Sequence, residues 1–329
     1  VKEKPAAMIL GTGSSIPDKV LTNYDLEKIV DTSDEWIRER SGIERRHILE
    51  EGKANSDMSA IAAQNALKDA GIEASDLDYI ILGTVTPDTL FPSTACHVQA
   101  KIGAINAAAF DISAACSGFL YGLHMAEKLL RDGQDRKILV IGAEVLSRIT
   151  DWEDRATCVL FGDGAGAVVV GPSDGQRGIL SSYVKSDGRL ADLLYMPAGG
   201  SAIPATHDSV DERLHYVRMS GREVFKHAVR AMADAAVHGL KSAGIKSDEI
   251  DLLITHQANI RIIEAISHRL KLPKEKVFVN IQEFGNTSAA SIPIALDQAR
   301  REGRLKPGNR CLLVAFGGGF TWGAVMVQL

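Results

Sequence analysis

The stretch DISAACSGFLYG, residues 111–122, sets Cys116 between an apolar strand-like run (Ala107 to Ile112) and a helix-like segment running to about Arg131. Phe119, Leu120, Leu123 and Leu130 recur at the spacing of a buried helical face. A thiol at a helix N-terminus meets unpaired N–H groups and the positive end of the dipole, which favour its thiolate. Ala114, Ala115 and Gly118 leave room beside it for a ligand chain. On these residues alone Cys116 is either a small packing residue or a nucleophile. Cys96 is the rival, because His97 follows it in STACHVQAK. Neighbours on a helix point about 100° apart, which suits that pair poorly for sharing a proton.

Three further segments carry groups that could work with a thiolate. His256, in LLITHQANIR, stands where a buried strand ends, the edge at which α/β sheets hold functional groups. Asn286, in FGNTSAAS, opens a small-residue helix and is equally suited to be its N-cap. AFGGGFTWG (315–323) offers backbone N–H groups for an oxyanion and also reads as a tight turn between strands. Cys158 and Cys311 lie in strand-like runs and are expected to pack. The four cysteines show no CxxC spacing and the nine histidines no HExxH arrangement, so neither disulfides nor a zinc site are expected.

The elements that must position these groups come in two copies. AGIEASDLDYIILG begins at Ala70 and AGIKSDEIDLLITH at Ala243, an offset of 243 − 70 = 173. KILVIG from Lys137 and RCLLVA from Arg310 repeat the same offset. Alanine-rich helices, Ser59 to Lys68 and Phe225 to Lys241, precede the two AGI motifs. Glycine-rich turns leading into strands, GDGAGAVVV and GFTWGAVMV, lie near each end. The chain therefore reads as two duplicated α/β halves, 1–172 and 173–329. Fully apolar strands alternating with helices imply mixed sheets with helices on their faces. Two such halves would share central helices, and a site at their junction would draw on both. GTGSSIP (11–17) and GDGAG (162–166) do not make a dinucleotide fingerprint, which needs a strand, a glycine loop and then a helix.

Taken together, DISAACSGF, THQANIR, FGNTSAAS and FGGGFTWG, with TSDEWIRERSGIERRHI near the start, resemble the β-ketoacyl-acyl-carrier-protein synthase III family. These are condensing enzymes of the thiolase-like superfamily that initiate bacterial fatty acid synthesis. The resemblance spans nearly the whole chain, and only about 172–218 is undistinctive. It implies a duplicated thiolase-like fold with mixed sheets sandwiching shared central helices. The implied reaction joins acetyl-CoA, or another short acyl-CoA primer, to malonyl-acyl-carrier protein through an acyl-cysteine. It releases CoA and CO₂ and leaves 3-oxoacyl-acyl-carrier protein. By the same resemblance Cys116, His256 and Asn286 form the catalytic set, and the N–H groups of Cys116 and Gly318 form the oxyanion hole. Trp36 and Arg155 would sandwich the CoA adenine, Arg40 would lie near the phosphates, and Gly221 and Asn259 along the pantetheine arm. Gln257, Ala258, Asn259, Ile260 and Arg261 match the family's carrier-protein segment. Phe91 matches a position that reaches into the partner's acyl pocket in a homodimer. No metal or redox cofactor is implied, since CoA thioesters are substrate and product.

A net charge of −5 and the lack of a polybasic tail argue against nucleic acid as the main partner. An acidic carrier protein then needs a local basic patch. Arg222, Lys226 and Arg230 recur at i, i+4 and i+8 in GREVFKHAVRAM, one stripe of a helix, though a solvated helix face would look the same. No apolar run approaches the roughly 20 residues of a spanning helix, and VKEKPAAMILGTGSS lacks a secretory apolar region. A cytoplasmic protein without membrane partners is expected.

Overall fold

A computed structural model describes residues 4–329, so residues 1–3 of the expected first half lie outside the described residues. Tyr79–Gly83 and Leu252–Thr255 are apolar on both faces and must be covered on both; each lies inside a mixed sheet flanked by helices. The first sheet runs in the order Ala7–Ser15, Asp163–Pro172, Ile138–Val145, Tyr79–Gly83, Ala108–Ile112. The second runs Gly178–Ser186, Thr321–Gln328, Arg310–Gly317, Leu252–Thr255, Val277–Phe278. In both, the first two pairings are antiparallel and the last two parallel.

Helices Gly118–Leu129 and Ser291–Arg301 lie between the sheets. One apolar cluster joins Phe119, Leu120 and Leu123 to Ile292 and Leu296, and takes in Ile81 and Val140 of one sheet and Ile254 and Leu313 of the other. Each such side chain contributes roughly 1.5–3 kcal/mol on full burial, which fixes how the sheets sit on the helices. Helices Asn55–Ala70 and Thr94–Ile102 cover the outer face of the first sheet, and Gly221–Ala243 and Ile260–Leu270 that of the second. This is the thiolase-like arrangement that the resemblance implied.

The helix read from Ser59 begins at Asn55, four residues earlier. Its first turn is polar because it is bonded to a loop: Asn55 Nδ2 donates to the Thr86 carbonyl at 3.0 Å, and Ser56 Oγ to Asp88 at 2.5 Å. Alanine patterning cannot reveal such a start. GTGSS and GDGAG run through paired strands, with Ser14 opposite Gly166, so neither forms a phosphate loop. Cys158 and Cys311 are fully buried packing residues.

Candidate active site

Past the strand Ala108–Ile112 the chain turns through a short 3-10 segment, Ala115–Ser117, into Gly118–Leu129. Ala115 holds φ at +45°, a left-handed conformation that costs a non-glycine residue roughly 1–2 kcal/mol. Thr321 steadies the corner from the second sheet: its Oγ1 donates to the Ala114 carbonyl at 2.8 Å, and its carbonyl accepts from Ser117 Oγ at 3.1 Å. The corner aims Cys116 into a cavity of about 480 Å³. Cys116 precedes the α-helix by two residues, and burial dominates its chemistry. Loss of solvation pushes the thiol up to about 12, aided by the Glu144 charge and opposed by the Ser288 hydroxyl. The thiolate expected from the helix terminus is therefore not the resting state.

His256 and Asn286 line the same cavity. His256 follows the strand Leu252–Thr255, and its N–H donates to the Val314 carbonyl at 2.8 Å. Burial draws the imidazole down to about 3, so it stays neutral and carries one ring proton. Its Nδ1 lies 2.7 Å from Ser291 Oγ, an oxygen that the Gln257 N–H also approaches at 3.4 Å. With its ring proton on Nε2, the imidazole accepts the Ser291 hydroxyl at Nδ1 and presents Nε2 as a donor. Asn286 is pinned through its backbone: its N–H donates to the Leu160 carbonyl at 2.9 Å, and its carbonyl accepts from Gly162 at 3.1 Å. Its Oδ1 accepts the Ser288 N–H at 2.9 Å, which leaves Nδ2 without a partner among the described residues. Gly317 lines the cavity beside Cys116, and a Cβ there would lie 2.6 Å from the Cys116 nitrogen. The N–H of Gly318 belongs to the next peptide.

At the cavity mouth stand Trp36, Arg40, Gly221, Arg222, Ala258, Asn259 and Arg261. Trp36 and Arg40 share a face of the helix Asp34–Ser41, with the guanidinium carbon 4.8 Å from the indole centroid. Arg155 lies against the same ring at 4.3 Å, so the two expected walls of an adenine site rest on each other. A ring between them needs about 7 Å, two van der Waals contacts of about 3.5 Å, so Arg155 would have to swing out. Among the described residues its one ion pair, with Asp31 at 3.8 Å, is exposed and weak. Asn259 caps the helix Ile260–Leu270, accepting from Arg261 N–H, and donates to the Arg40 carbonyl at 2.8 Å.

Two expected contacts, Gln257 and Ile260, fall elsewhere. Gln257 is 1% exposed, donates to the Thr255 and Phe278 carbonyls and accepts from Asn280 N–H, so it cannot face a docked protein. The turn after the strand points it inward, where three backbone groups need a partner. Ile260 is half-buried against Gly42, and Lys226 lies outside the cavity on an adjoining groove. Phe91 is 86% exposed and lines no part of its own chain's cavity; Leu90 and Ile105 are equally bare. Cys96 is occupied with Ser93 and the Ala109 carbonyl, away from the cavity.

Ser291, Ser288 and Glu144 belong to this site and carry no local signal in the sequence. Glu144 sits inside an apolar strand, and the serines sit in a run of small residues. Only the folded corner brings them to His256 and Cys116. Among the described residues no group of three or more His, Cys, Asp or Glu could hold a metal, and no helix is long and apolar enough to cross a membrane.

Family models of 3-oxoacyl-[acyl-carrier-protein] synthase III and of its C-terminal part match residues 110–188 and 240–329. The β-ketoacyl-[acyl-carrier-protein] synthase III of Caldanaerobacter subterraneus subsp. tengcongensis is 56% identical over 326 residues, 99% of this chain and 98% of the relative. The crystal structure of 3-oxoacyl-[acyl-carrier-protein] synthase III from Aquifex aeolicus VF5 agrees with a TM-score of 0.91 at 52% identity, covering 98% of this chain and all of that one. The priming β-ketosynthase of a polyketide biosynthetic pathway also reaches 0.91, at 33% identity, over 100% of this chain and 98% of that one. With that agreement along its whole length, the chain belongs to the β-ketoacyl-acyl-carrier-protein synthase III family, the acyltransferases whose decarboxylating condensation initiates fatty acid synthesis through an acyl-cysteine.

Proposed function

We propose that Cys116, His256 and Asn286 join acetyl-CoA, or another short acyl-CoA primer, to malonyl-acyl-carrier protein at this cavity. The Cys116 sulfur bonds to the acyl carbon as the bond to the CoA sulfur breaks, and CoA thiolate leaves to be protonated by solvent. The N–H groups of Cys116 and Gly318 receive the oxyanion. Malonyl thioester then fills the cavity, and its bond to the carboxylate breaks. CO₂ departs, and the electron pair becomes an enolate whose oxygen accepts from His256 Nε2 and Asn286 Nδ2. The enolate carbon attacks the acyl-cysteine, giving 3-oxoacyl-acyl-carrier protein and free Cys116. Loss of CO₂ itself supplies the carbanion, so this route calls on no metal or redox cofactor.

The observation that carries this reading is the convergence of Cys116, His256 and Asn286, far apart in sequence, on one cavity. At its mouth Trp36, Arg40 and Arg155 take the CoA nucleotide, and Gly221 and Asn259 flank the pantetheine arm. Arg222, Lys226, Ala258 and Arg261 meet the carrier protein, while Gln257 shapes the turn beneath them. Exposed Phe91 closes the acyl pocket of a second copy in a homodimer. The two halves, 1–172 and 173–329, derive from one duplicated unit, and the enzyme works in the cytoplasm. Incubation with acetyl-CoA should add one acetyl group, mapped to Cys116 by mass spectrometry, and malonyl-carrier protein should then discharge it as 3-oxoacyl product. An adduct on Cys96, or no product, would overturn the reading.

A further inference from the structure

Cys116 rests as a thiol and has to lose a proton before it attacks. His256 is a poor acceptor, since burial keeps its imidazole neutral and Nδ1 is engaged by Ser291. The other ionisable group beside the sulfur is Glu144, near the end of the strand Ile138–Val145. Glu144 is fully buried, and the groups that hydrogen-bond to it, on Thr84, Val85, Thr86 and Ser288, are all neutral. Its Oε2 accepts from Thr86 Oγ1 at 2.5 Å and Thr84 Oγ1 at 3.1 Å, and the Val85 N–H reaches both oxygens. Its Oε1 accepts from Ser288 Oγ at 3.1 Å, and that same hydroxyl is in hydrogen-bonding reach of the Cys116 sulfur. Ser288 is held there in a left-handed conformation, φ +49°, with its N–H fixed by Asn286. A buried carboxylate without a cationic partner costs several kcal/mol even when neutral donors surround it, as they do here.

We propose that Glu144 takes the proton of Cys116 through the Ser288 hydroxyl and returns it when the acyl group leaves, a role that rests on Cys116 being the acylated nucleophile. In the forward direction the Cys116 S–H bond breaks and its proton passes to Ser288 Oγ. The Ser288 O–H proton passes to Glu144 Oε1, leaving a thiolate and a carboxylic acid. The acid keeps that proton while the cysteine is acylated. When the enolate carbon bonds to the acyl carbon and the C–S bond breaks, the expelled thiolate recovers the proton along the same path. The relay closes over one turnover, and the CoA thiolate takes its proton from solvent.

Burial pushes the Glu144 carboxyl up to about 7, against its donors Thr86, Val85, Thr84 and Ser288. A group so placed can accept and give back a proton near neutral pH. From the surrounding elements Thr84, Val85 and Thr86, Ser288 and Cys116 face it. Asp163 on the adjoining strand faces Leu49 and Ser147 instead.

Single-turnover acetylation by acetyl-CoA, read by intact mass on both sides of pH 7, tests the relay. Glu144 accepts only as carboxylate, so the wild-type rate should fall as pH drops through about 7. Glu144→Gln and Ser288→Ala should lose that inflection and acetylate about 100-fold more slowly at neutral pH, with a rate that climbs with hydroxide. Glu144→Asp should keep an inflection. A second readout is spectroscopic: infrared difference spectra of wild type taken across pH 7 should show a buried carboxylic-acid C=O stretch, shifted in D₂O, that appears as pH falls through about 7 and is lost in Glu144→Gln. An unchanged pH profile in folded Glu144→Gln, or wild type without that band below pH 7, overturns the relay alone. Wild type that takes no acetyl group at Cys116 overturns instead the reading on which the relay rests.

Discussion

At the offset of 173 residues, Gly83 of the first half corresponds to His256 of the second, Gly118 to Ser291, Cys116 to Ala289 and Glu144 to Gly317. The backbone treats these positions alike. Ala115 and Ser288, a further corresponding pair, hold φ at +45° and +49°, and each turns a strand-side loop into a central helix. The side chains do the opposite. In the first half the helix rests directly on the strand, and a Cβ on Gly83 would lie 2.6 Å from the Gly118 carbonyl carbon. In the second half the same spot holds the His256–Ser291 hydrogen bond. One corner is closed and carries the thiol; the other is opened just enough for a neutral imidazole and its hydroxyl partner. Two copies of one corner thus supply complementary halves of a reaction, and Ser288 of the second reaches back to the sulfur of the first.

The comparison breaks most visibly if the nucleophile is moved. Cys116→Ala should abolish the acetyl adduct. Adding Ala289→Cys in that background should not restore it, because Ala289 is 1% exposed and does not line the cavity. Intact mass after prolonged exposure to acetyl-CoA decides it, and an adduct at position 289 would show the corners to be interchangeable.

Next in size is the division of labour between donors and nucleophile. His256→Ala and Asn286→Ala should each slow malonyl decarboxylation about 10²–10³-fold, the cost of one lost donor to a developing oxyanion. Acetylation of Cys116 should change far less, because the enolate exists only in the second half-reaction. Assaying the two partial reactions separately checks this, and equal damage to both would mean that these donors also serve acylation.

A subtler pair sharpens the closed-versus-open contrast. Gly83→Ala should cost about 1–3 kcal/mol of stability by overpacking, read as a lower melting temperature. Ser291→Ala should cost a similar amount, by leaving buried His256 Nδ1 unpaired, and should also lower kcat about tenfold by freeing the imidazole it holds. Rescue by Ser291→Thr, which keeps a hydroxyl, separates that effect from packing.

The reach of sequence reading follows from the same contrast. The duplication was legible because apolar strands and AGI corners recur in order; Cys116, His256 and Asn286 were candidates because each stands at an element end, and only the family resemblance joined them into one set. Glu144 was not: GAEVL reads as the tail of a buried strand, and its partners come from residues 84–86 and 288. Gln257 misled in the opposite way. Its neighbours Ala258 and Arg261 face the mouth, yet the turn after Thr255 directs this one side chain to unpaired backbone groups inside. Arg155 was expected across an adenine ring from Trp36, and it rests on that indole directly, a guanidinium face stacking favourably on an aromatic one.

The smallest effect concerns the mouth, where the basic stripe divides. Arg222 lines the active-site cavity, whereas Lys226 and Arg230 line an adjoining groove with His268 and Arg269. Arg261 stands over Phe225 at 5.5 Å, between the two. Positive charge therefore runs from the tunnel mouth out along the helix Gly221–Ala243, whereas Trp36 offers a flat apolar face inside. Attraction between separated surfaces is screened beyond a Debye length of about 8 Å at physiological ionic strength, and contact stacking is not. Lys226→Glu with Arg261→Glu should raise KM for malonyl-carrier protein about tenfold at low salt, mostly through slower association, and the gap to wild type should narrow as salt is added. KM for acetyl-CoA should stay nearly constant. Trp36→Ala should reverse the pattern, raising KM for acetyl-CoA with little salt dependence. Lys226 pairs with exposed Glu223 at 3.6 Å, a weak surface contact, so its reversal disturbs the fold little. Steady-state kinetics for each substrate at two salt concentrations separates the outcomes: charge reversals that weaken acetyl-CoA and spare the carrier protein would move the docking face away from this helix.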